Sequence, residues 1–157
     1  MKLNEQAFFN ILELFHKATQ DYLSTKIWFL FCEFAQENVT FWGDCGVAKV
    51  REIFETALQH MGYHMGEGDL LWSSYIEFEL ILFNKLQQLQ AEDNNSEELR
   101  EQVRLQHIRL TQLYKRRLSL PLISHKISIE MAATWNPEAI PDTDTSEKVK
   151  STYKVLL

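Results

Sequence analysis

Two histidines and a cysteine are the residues whose types and spacing come nearest to a metal site. His60 and His64 lie four residues apart, and Cys45 precedes them. On a helix this spacing would present both imidazoles on one face, and imidazole and thiolate groups are good zinc ligands. Gly62 and Gly66 interrupt the segment, however, and neither an HExxH nor a CxxC motif accompanies it. We therefore interpret the segment as a loop and expect no metal ion and no other cofactor.

The nucleophilic side chains lack the partners that covalent catalysis needs. Cys32 lies in an aromatic-rich stretch, where a cysteine is typically a small core residue. Ser73 and Ser74 fall within a helical pattern and not at the strand-to-helix turn of a nucleophile elbow. His107 and His125 stand alone, and the chain has no phosphate-binding loop or dinucleotide fingerprint. We expect the protein not to be an enzyme.

Phosphate binding by clustered cations is the third chemistry that the sequence offers. One stretch carries six basic residues: Arg100, Arg104, Arg109, Lys115, Arg116 and Arg117. The stretch opens with glutamates and closes with cations, an order that complements the dipole of a single helix. The whole chain has 22 acidic and 16 basic residues, a net charge of −6, which is atypical of a protein that binds duplex DNA. We favour a solvated helix face, and direct RNA binding through Arg104, Arg109, Lys115 and Arg116 stays as the alternative.

Helices must carry these residues, because the chain breakers are confined to short stretches. All glycines fall between positions 43 and 68 and all prolines between 121 and 141, so 1–42 and 69–120 contain neither. Apolar residues recur every three or four positions, and alternation typical of strands is not sustained. The pattern predicts an all-α fold of seven helices, at 3–23, 25–38, 46–61, 69–91, 96–119, 122–135 and 145–157.

Size and composition fit one compact domain or a short array of repeats. The chain has 157 residues, of which 45% are apolar, enough to bury a sizeable core. No apolar run approaches the ~20 residues that cross a bilayer, and the N-terminus lacks the apolar stretch of a signal peptide. Two cysteines outside any CxxC pair indicate a reducing intracellular compartment.

An internal repeat is the most informative feature of the sequence. The pattern W-x-x-(F/Y)-x-E-F occurs twice, with the two copies 44 residues apart. Its members are Trp28, Phe31, Glu33 and Phe34, then Trp72, Tyr75, Glu77 and Phe78. The intervening helices carry the anchors Phe54 with Ala57, then Tyr114 and Tyr153, and the first helix of a third hairpin has Trp135 where the stripe would have phenylalanine. One hairpin cannot bury such an aromatic stripe alone, so we expect the hairpins to stack, with large rings lying over small residues.

We assign these motif residues structural roles. The tryptophans are expected to fix the hairpins, and each motif glutamate is expected to meet a cation or a backbone group between helices. Arg117 stands where the repeat would have a small alanine, which makes the later repeats degenerate. Leu3, Ala7 and Phe8 at one end, and residues 155–157 at the other, are expected to lack stacking neighbours, which predicts self-association or a further flanking repeat.

The motifs resemble the half-a-TPR (HAT) repeat of RNA-processing scaffolds, whose first helix carries a tryptophan and two further aromatic residues. Segments 50–58, 62–68, 71–79, 116–122 and 140–141 resemble more narrowly the U4/U6 recycling factors of this family. The resemblance implies a right-handed α-solenoid of TPR-like hairpins over 1–157, as part of a longer chain. Its parts would be the second helix of a preceding repeat (1–23), a repeat (25–61), a repeat with an insertion (69–119) and a degenerate repeat (122–157).

The resemblance also implies a function. It indicates a nuclear, non-enzymatic protein–protein scaffold in pre-mRNA splicing and in the assembly or recycling of the U4/U6 small nuclear ribonucleoprotein (snRNP). The implied partners are proteins, namely spliceosomal snRNP components and deubiquitinases. RNA would be bound mainly through RNA-recognition domains whose aromatic strand pattern this chain lacks, and no membrane contact is expected. The acidic balance favours a basic partner segment.

Overall fold

The fold is all-α, as the sequence predicts. A computed structural model describes residues 3–122 and 125–136. Six α-helices lie within these residues: α1 (Glu5–Asp21), α2 (Thr25–Glu37), α3 (Gly46–Met61), α4 (Gly68–Glu92), α5 (Glu97–Leu118) and α6 (His125–Trp135). No strand occurs in the same residues, and none of the helices there is long and apolar enough to cross a membrane. The seventh predicted helix, at 145–157, lies outside the described residues.

Short polar side chains begin three of the helices. Asn4 accepts a hydrogen bond from the backbone N–H of Ala7 at 2.7 Å, at the start of α1. Ser24 does the same for α2 and Ser96 for α5, through the third residue beyond each cap. These caps satisfy N–H groups that the first turn of a helix leaves unpaired. The predicted helix starts therefore have a local physical cause.

The stretch between α2 and α3 forms a 3₁₀ helix, Val39–Cys45, which the sequence pattern did not predict. Gly43 breaks it with a φ of 59°, a left-handed backbone that glycine adopts without a steric cost. At its far end Gly46 packs tightly, because a Cβ there would lie 2.3 Å from the carbonyl oxygen of Val39. Two glycines thus let the chain turn closely from α2 into α3.

An aromatic cluster surrounds Phe8, near the N-terminal end of α1. Phe8 is fully buried, and its ring stacks on Phe41 at 4.6 Å and on Phe34 at 5.5 Å. Trp42 meets the same ring edge-on at 4.9 Å. The expectation that Phe8 lacks stacking neighbours was wrong, because the 3₁₀ helix brings Phe41 and Trp42 back over α1. The counterpart at residues 155–157 lies outside the described residues.

The chain divides into two compact units, and the boundary falls between Ser74 and Tyr75, inside α4. In the second unit, Trp135 of α6 packs against Phe83 at 4.9 Å and His107 at 5.1 Å. Asn136, just after α6, donates a hydrogen bond to the Thr111 hydroxyl at 3.3 Å. These contacts hold α6 against α4 and α5.

The first hairpin consists of α2 and α3, and the second of α4 and α5. The same positions of both are buried, but three of these positions hold different kinds of residue. Ala35, Gly46 and Ala57 are buried small residues in the first hairpin. In the second hairpin the equivalent positions hold buried polar residues. Glu79 is equivalent to Ala35, with an offset of 44 residues, and Gln106 and Arg117 are equivalent to Gly46 and Ala57, with an offset of 60. Gln106 donates to a Glu79 carboxylate oxygen at 2.6 Å and to the Glu79 carbonyl oxygen at 3.0 Å. The second hairpin therefore has a buried polar layer where the first has close backbone packing.

Candidate partner-binding groove

The repeated aromatic residues lie mostly in the interior of their units. Trp28 and Trp72 are only 5% and 4% exposed, at matching positions of α2 and α4. Other motif residues are buried too, namely Phe31, Phe54, Ala57, Tyr75, Phe78 and Tyr114. Phe34 and Trp135 are half-buried, and Tyr153 lies outside the described residues. Burial at these positions is what a structural role requires.

The two motif glutamates are not equivalent. Glu33 is half-buried and accepts hydrogen bonds from the Ser74 hydroxyl at 2.9 Å and from the Gln36 amide at 2.5 Å. Glu77 is exposed, and the buried carboxylate of α4 is Glu79, two residues further on. We expected each motif glutamate to meet a cation or a backbone group. This was wrong for Glu33, which accepts hydrogen bonds from two uncharged side chains, and Glu77 faces solvent.

The two repeat tryptophans differ in what their indole N–H groups meet. The Trp72 Nε1 donates a hydrogen bond of 3.0 Å to the carbonyl oxygen of Gly62, in the connection between α3 and α4. The Trp28 Nε1 is shielded from water and has no hydrogen-bond acceptor among the described residues. A buried donor without an acceptor costs about 1–3 kcal/mol, so the first hairpin carries a penalty that the second avoids.

Connection length explains this difference. Six residues, 62–67, join α3 to α4, and the first of them supplies the acceptor for Trp72. Only three residues, 22–24, join α1 to α2. Within these three, the Tyr22 carbonyl already accepts from the Ser24 N–H. The shorter connection leaves an open depression beside Trp28.

We call this feature the Trp28 groove, which consists of two adjoining depressions on the surface of the first unit. The larger has a volume of ≈ 470 Å³ and the smaller ≈ 200 Å³, and both are lined by His16, Trp28 and Thr56. The larger extends to Thr19, Gln20, Leu23 and His60, and the smaller to Leu12, Phe31, Trp42, Lys49, Glu52 and Ile53. Helices α1, α2 and α3 thus all contribute to the groove, and its floor is aromatic.

The lining of the groove combines aliphatic and aromatic side chains with polar ones and carries no net charge. Lys49 and Glu52 are the two lining residues with charged side chains at neutral pH, and they pair at 3.2 Å. The His60 ring stacks on Trp28 with centroids 5.2 Å apart, and its Nδ1 lies 2.8 Å from the Thr56 carbonyl oxygen. His16 meets Phe31 edge-on at 5.2 Å. The imidazoles therefore form the rim and the tryptophan the floor.

The basic residues of α5 do not form one strip. Arg104 donates to both carboxylate oxygens of Glu101, at 2.6 and 2.8 Å, and this bond lowers the pKa of the Glu101 carboxyl. Arg109, Lys115 and Arg116 are exposed, whereas Arg117 is 1% exposed. At about 100° per residue, Arg109 and Arg116 lie roughly 100–140° around the helix from Arg104 and Lys115. Because Arg117 is buried, it does not belong to the basic face that the sequence indicated.

The candidate metal and thiol residues make local contacts. His64 accepts a hydrogen bond from the Glu67 N–H at 3.1 Å through its Nδ1, within the connection 62–67. Cys45 donates to the Trp42 carbonyl oxygen at 3.0 Å. Among the described residues no cluster of three or more histidines, cysteines or acidic residues is placed to hold a metal ion. Burial raises the pKa of the Cys32 thiol, with the nearby Glu33 carboxylate adding to the effect.

Sequence reasoning named Trp28, Phe31 and His60 but did not predict that they line one groove. They meet His16 and Thr56 only because α1 and α3 flank α2. One feature could have indicated the site: the connection before Trp28 is half as long as the connection before Trp72.

The comparisons with known proteins agree with the repeat. A family model described as the PRP39 N-terminal HAT repeat matches residues 1–131. The chain is 28% identical over 134 residues to the proteins named spliceosome associated factor 3, U4/U6 recycling protein, from Pongo abelii and Homo sapiens. The alignment covers 85% of this chain and 12% of each relative, so the chain spans a small part of their length. The Danio rerio protein of the same name is 30% identical over 91 residues, and this alignment covers 58% of this chain and 10% of the length of the Danio rerio protein. HAT repeats are helical-solenoid repeats, and this chain belongs to the PRP39 N-terminal HAT repeat family.

Proposed function

We propose that the protein is a non-enzymatic scaffold that binds other proteins during pre-mRNA splicing in the nucleus. The observation that carries the proposal is the HAT family match over residues 1–131, together with the aromatic register that two of its hairpins share. Repeat proteins of this type bind their partners through the extended surface that the stacked repeats form. The Trp28 groove offers such a surface.

The finer proposal is a role in the assembly or recycling of the U4/U6 snRNP. It is supported by relatives whose names describe them as U4/U6 recycling proteins. Partners would then be protein components of that particle, and deubiquitinases are a further class that the family resemblance suggests. The net charge of −6 favours partner segments that are basic.

A capture experiment tests the proposal. The purified chain is immobilised and incubated with nuclear extract, with and without prior ribonuclease treatment, and retained proteins and small nuclear RNAs are quantified. We expect proteins of the U4/U6 snRNP to be retained in both samples, because the contact is with protein. An unrelated helical-repeat protein of the same net charge serves as the control.

The other outcomes have defined meanings. Loss of every snRNP protein after ribonuclease would favour direct RNA binding through α5. Retention of no splicing protein in either sample would refute the scaffold role in splicing.

A further inference from the structure

We propose that the Trp28 groove binds an extended segment of a partner protein in which an uncharged apolar side chain is flanked by lysine or arginine. The inference rests on the proposed function, because it assigns a site and a chemistry to the protein contacts of the scaffold. It is carried by the shape of the groove, by the charges in and beside it, and by the indole N–H at its floor.

The shape of the groove suits an extended segment. The two depressions adjoin each other, since His16, Trp28 and Thr56 line both. In an extended chain, side chains on one face recur about every 7 Å, so two of them can enter two adjoining depressions. The depressions, of ≈ 200 and ≈ 470 Å³, share the Trp28 floor.

The lining selects an uncharged side chain. Leu12, Leu23 and Ile53 contribute aliphatic surface beside the aromatic floor. The Lys49 and Glu52 charges neutralise each other, so a charged side chain entering the groove would find no free counter-charge there. Removing a charge from water without a partner is unfavourable, whereas burying an apolar side chain is favourable.

The end of the groove beside the α1–α2 connection selects a basic flank. Helix α1 ends at Asp21, an exposed carboxylate next to the lining residue Gln20, and its last turn contains no basic residue. The C-terminal end of a helix carries partial negative charge, and here the carboxylate adds to it. Leu23, which is 78% exposed, follows Asp21 by two residues and lines the same depression as Trp28. A cation adjoining the apolar residue of the partner is therefore stabilised.

The indole N–H of Trp28 provides a specific point of attachment. It has no acceptor among the described residues, whereas the equivalent group of Trp72 binds the Gly62 carbonyl. An extended segment presents backbone carbonyls to its surroundings, and one of them can take the place that Gly62 takes in the second hairpin. Because the indole N–H is shielded from solvent, the segment must displace a side chain at the rim of the groove to reach it. The His60 ring can be displaced, since it is exposed and stacks on the indole.

A random 12-residue peptide library displayed on phage is the probe for this proposal. It is selected against the wild-type chain and against two variants of α3. Thr56→Trp fills both depressions, and Gln59→Trp adds the same side chain at an exposed position that lines neither. We expect the wild type and Gln59→Trp to enrich peptides with an apolar residue flanked by lysine or arginine, and Thr56→Trp not to enrich them.

Affinities of the consensus peptide sharpen the test. We expect Thr56→Trp to bind about tenfold more weakly than the wild type, and Gln59→Trp within about twofold. Asp21→Lys changes an exposed residue and does not depend on packing. We expect it to weaken binding by about threefold at low salt, with the difference shrinking as salt is added. The absence of a consensus, an acidic consensus, or equal binding by Thr56→Trp would overturn the proposal.

Failure of this proposal is distinguishable from failure of the scaffold function. If Thr56→Trp captures snRNP proteins as well as the wild type does, the scaffold function holds and the groove is not its site. If the wild type captures none, the scaffold function is lost, and the peptide selection still decides what the groove binds.

Discussion

At the scale of single residues, Trp28 and Trp72 form a natural matched pair. We predict that Trp72→Phe lowers the free energy of unfolding by about 1 kcal/mol more than Trp28→Phe. Both variants lose the same ring volume, but Trp72→Phe also breaks the bond to the Gly62 carbonyl and leaves that oxygen buried without it. Urea unfolding of both variants measures the difference. Equal losses, or a larger loss for Trp28→Phe, would contradict the assignment of the two indole groups.

Glu79 and Glu77 form a second pair, two residues apart on α4. We predict that Glu79→Ala destabilises the protein by about 2 kcal/mol, because Gln106 loses its buried carboxylate acceptor. Glu77→Ala serves as the control and should change the stability by less than about 0.5 kcal/mol, since Glu77 is exposed. Thermal and urea unfolding both report this. A greater effect at Glu77 would show that the motif glutamate has the structural role after all.

Sequence reasoning found the repeat register but not every role within it. The W-x-x-(F/Y)-x-E-F pattern located Trp28 and Trp72 because the chain has only four tryptophans and two of them share the same flanking residues. It directed attention to Glu77, since a glutamate occupies that place in both copies, whereas the rotation of α4 buries Glu79 instead. The Trp28 groove could not be derived, because its residues come from α1, α2, α3 and the stretches that join them, whose relative placement depends on packing.

At the scale of elements, Gly46 tests the tight passage from the 3₁₀ helix into α3. We predict that Gly46→Ala destabilises the protein by about 2 kcal/mol, although alanine favours a helix over glycine by about 1 kcal/mol. The reason is that a Cβ at this position would lie 2.3 Å from the Val39 carbonyl oxygen. Gln59→Ala, at an exposed site of α3, is the control and should have little effect. A stabilised Gly46→Ala variant would mean that the passage is loose.

Helices were predictable where long stretches lack glycine and proline. Short elements were not: the 3₁₀ helix Val39–Cys45 has too few residues to show a period. Missing it led to the wrong expectation for Phe8, because the ring's partners Phe41 and Trp42 are positioned by that helix. The error shows how a 3₁₀ helix of seven residues can decide whether the end of a repeat is exposed.

At the scale of the whole molecule, charge decides between protein and RNA as partner. We predict no measurable binding to a single-stranded RNA of about 20 nucleotides at roughly physiological salt, because the net charge is −6 and α5 presents no continuous basic strip. Fluorescence anisotropy over a salt series measures this. Binding that falls steeply with salt and is lost in Arg109→Ala with Arg116→Ala would instead establish the RNA alternative.

The division of the chain into repeats 25–61, 69–119 and 122–157 stays a prediction, as does the array over 1–157. The described residues bear on it through equivalent pairs such as Val50 with Leu110 and Phe54 with Tyr114, whose members are all buried. These pairs follow the 60-residue spacing that the aromatic anchors indicated.

The polar layer of the second hairpin limits how such hairpins can be recombined. A chimaera that joined α4 to α3 would give Glu79 a glycine where Gln106 stands, and one that joined α2 to α5 would give Gln106 an alanine where Glu79 stands. Each would bury a polar group whose counterpart had been left behind in the other parent. Glu79 and Gln106 therefore have to be inherited together, so whole hairpins, and not single helices, are the units that gene duplication or protein engineering can shuffle.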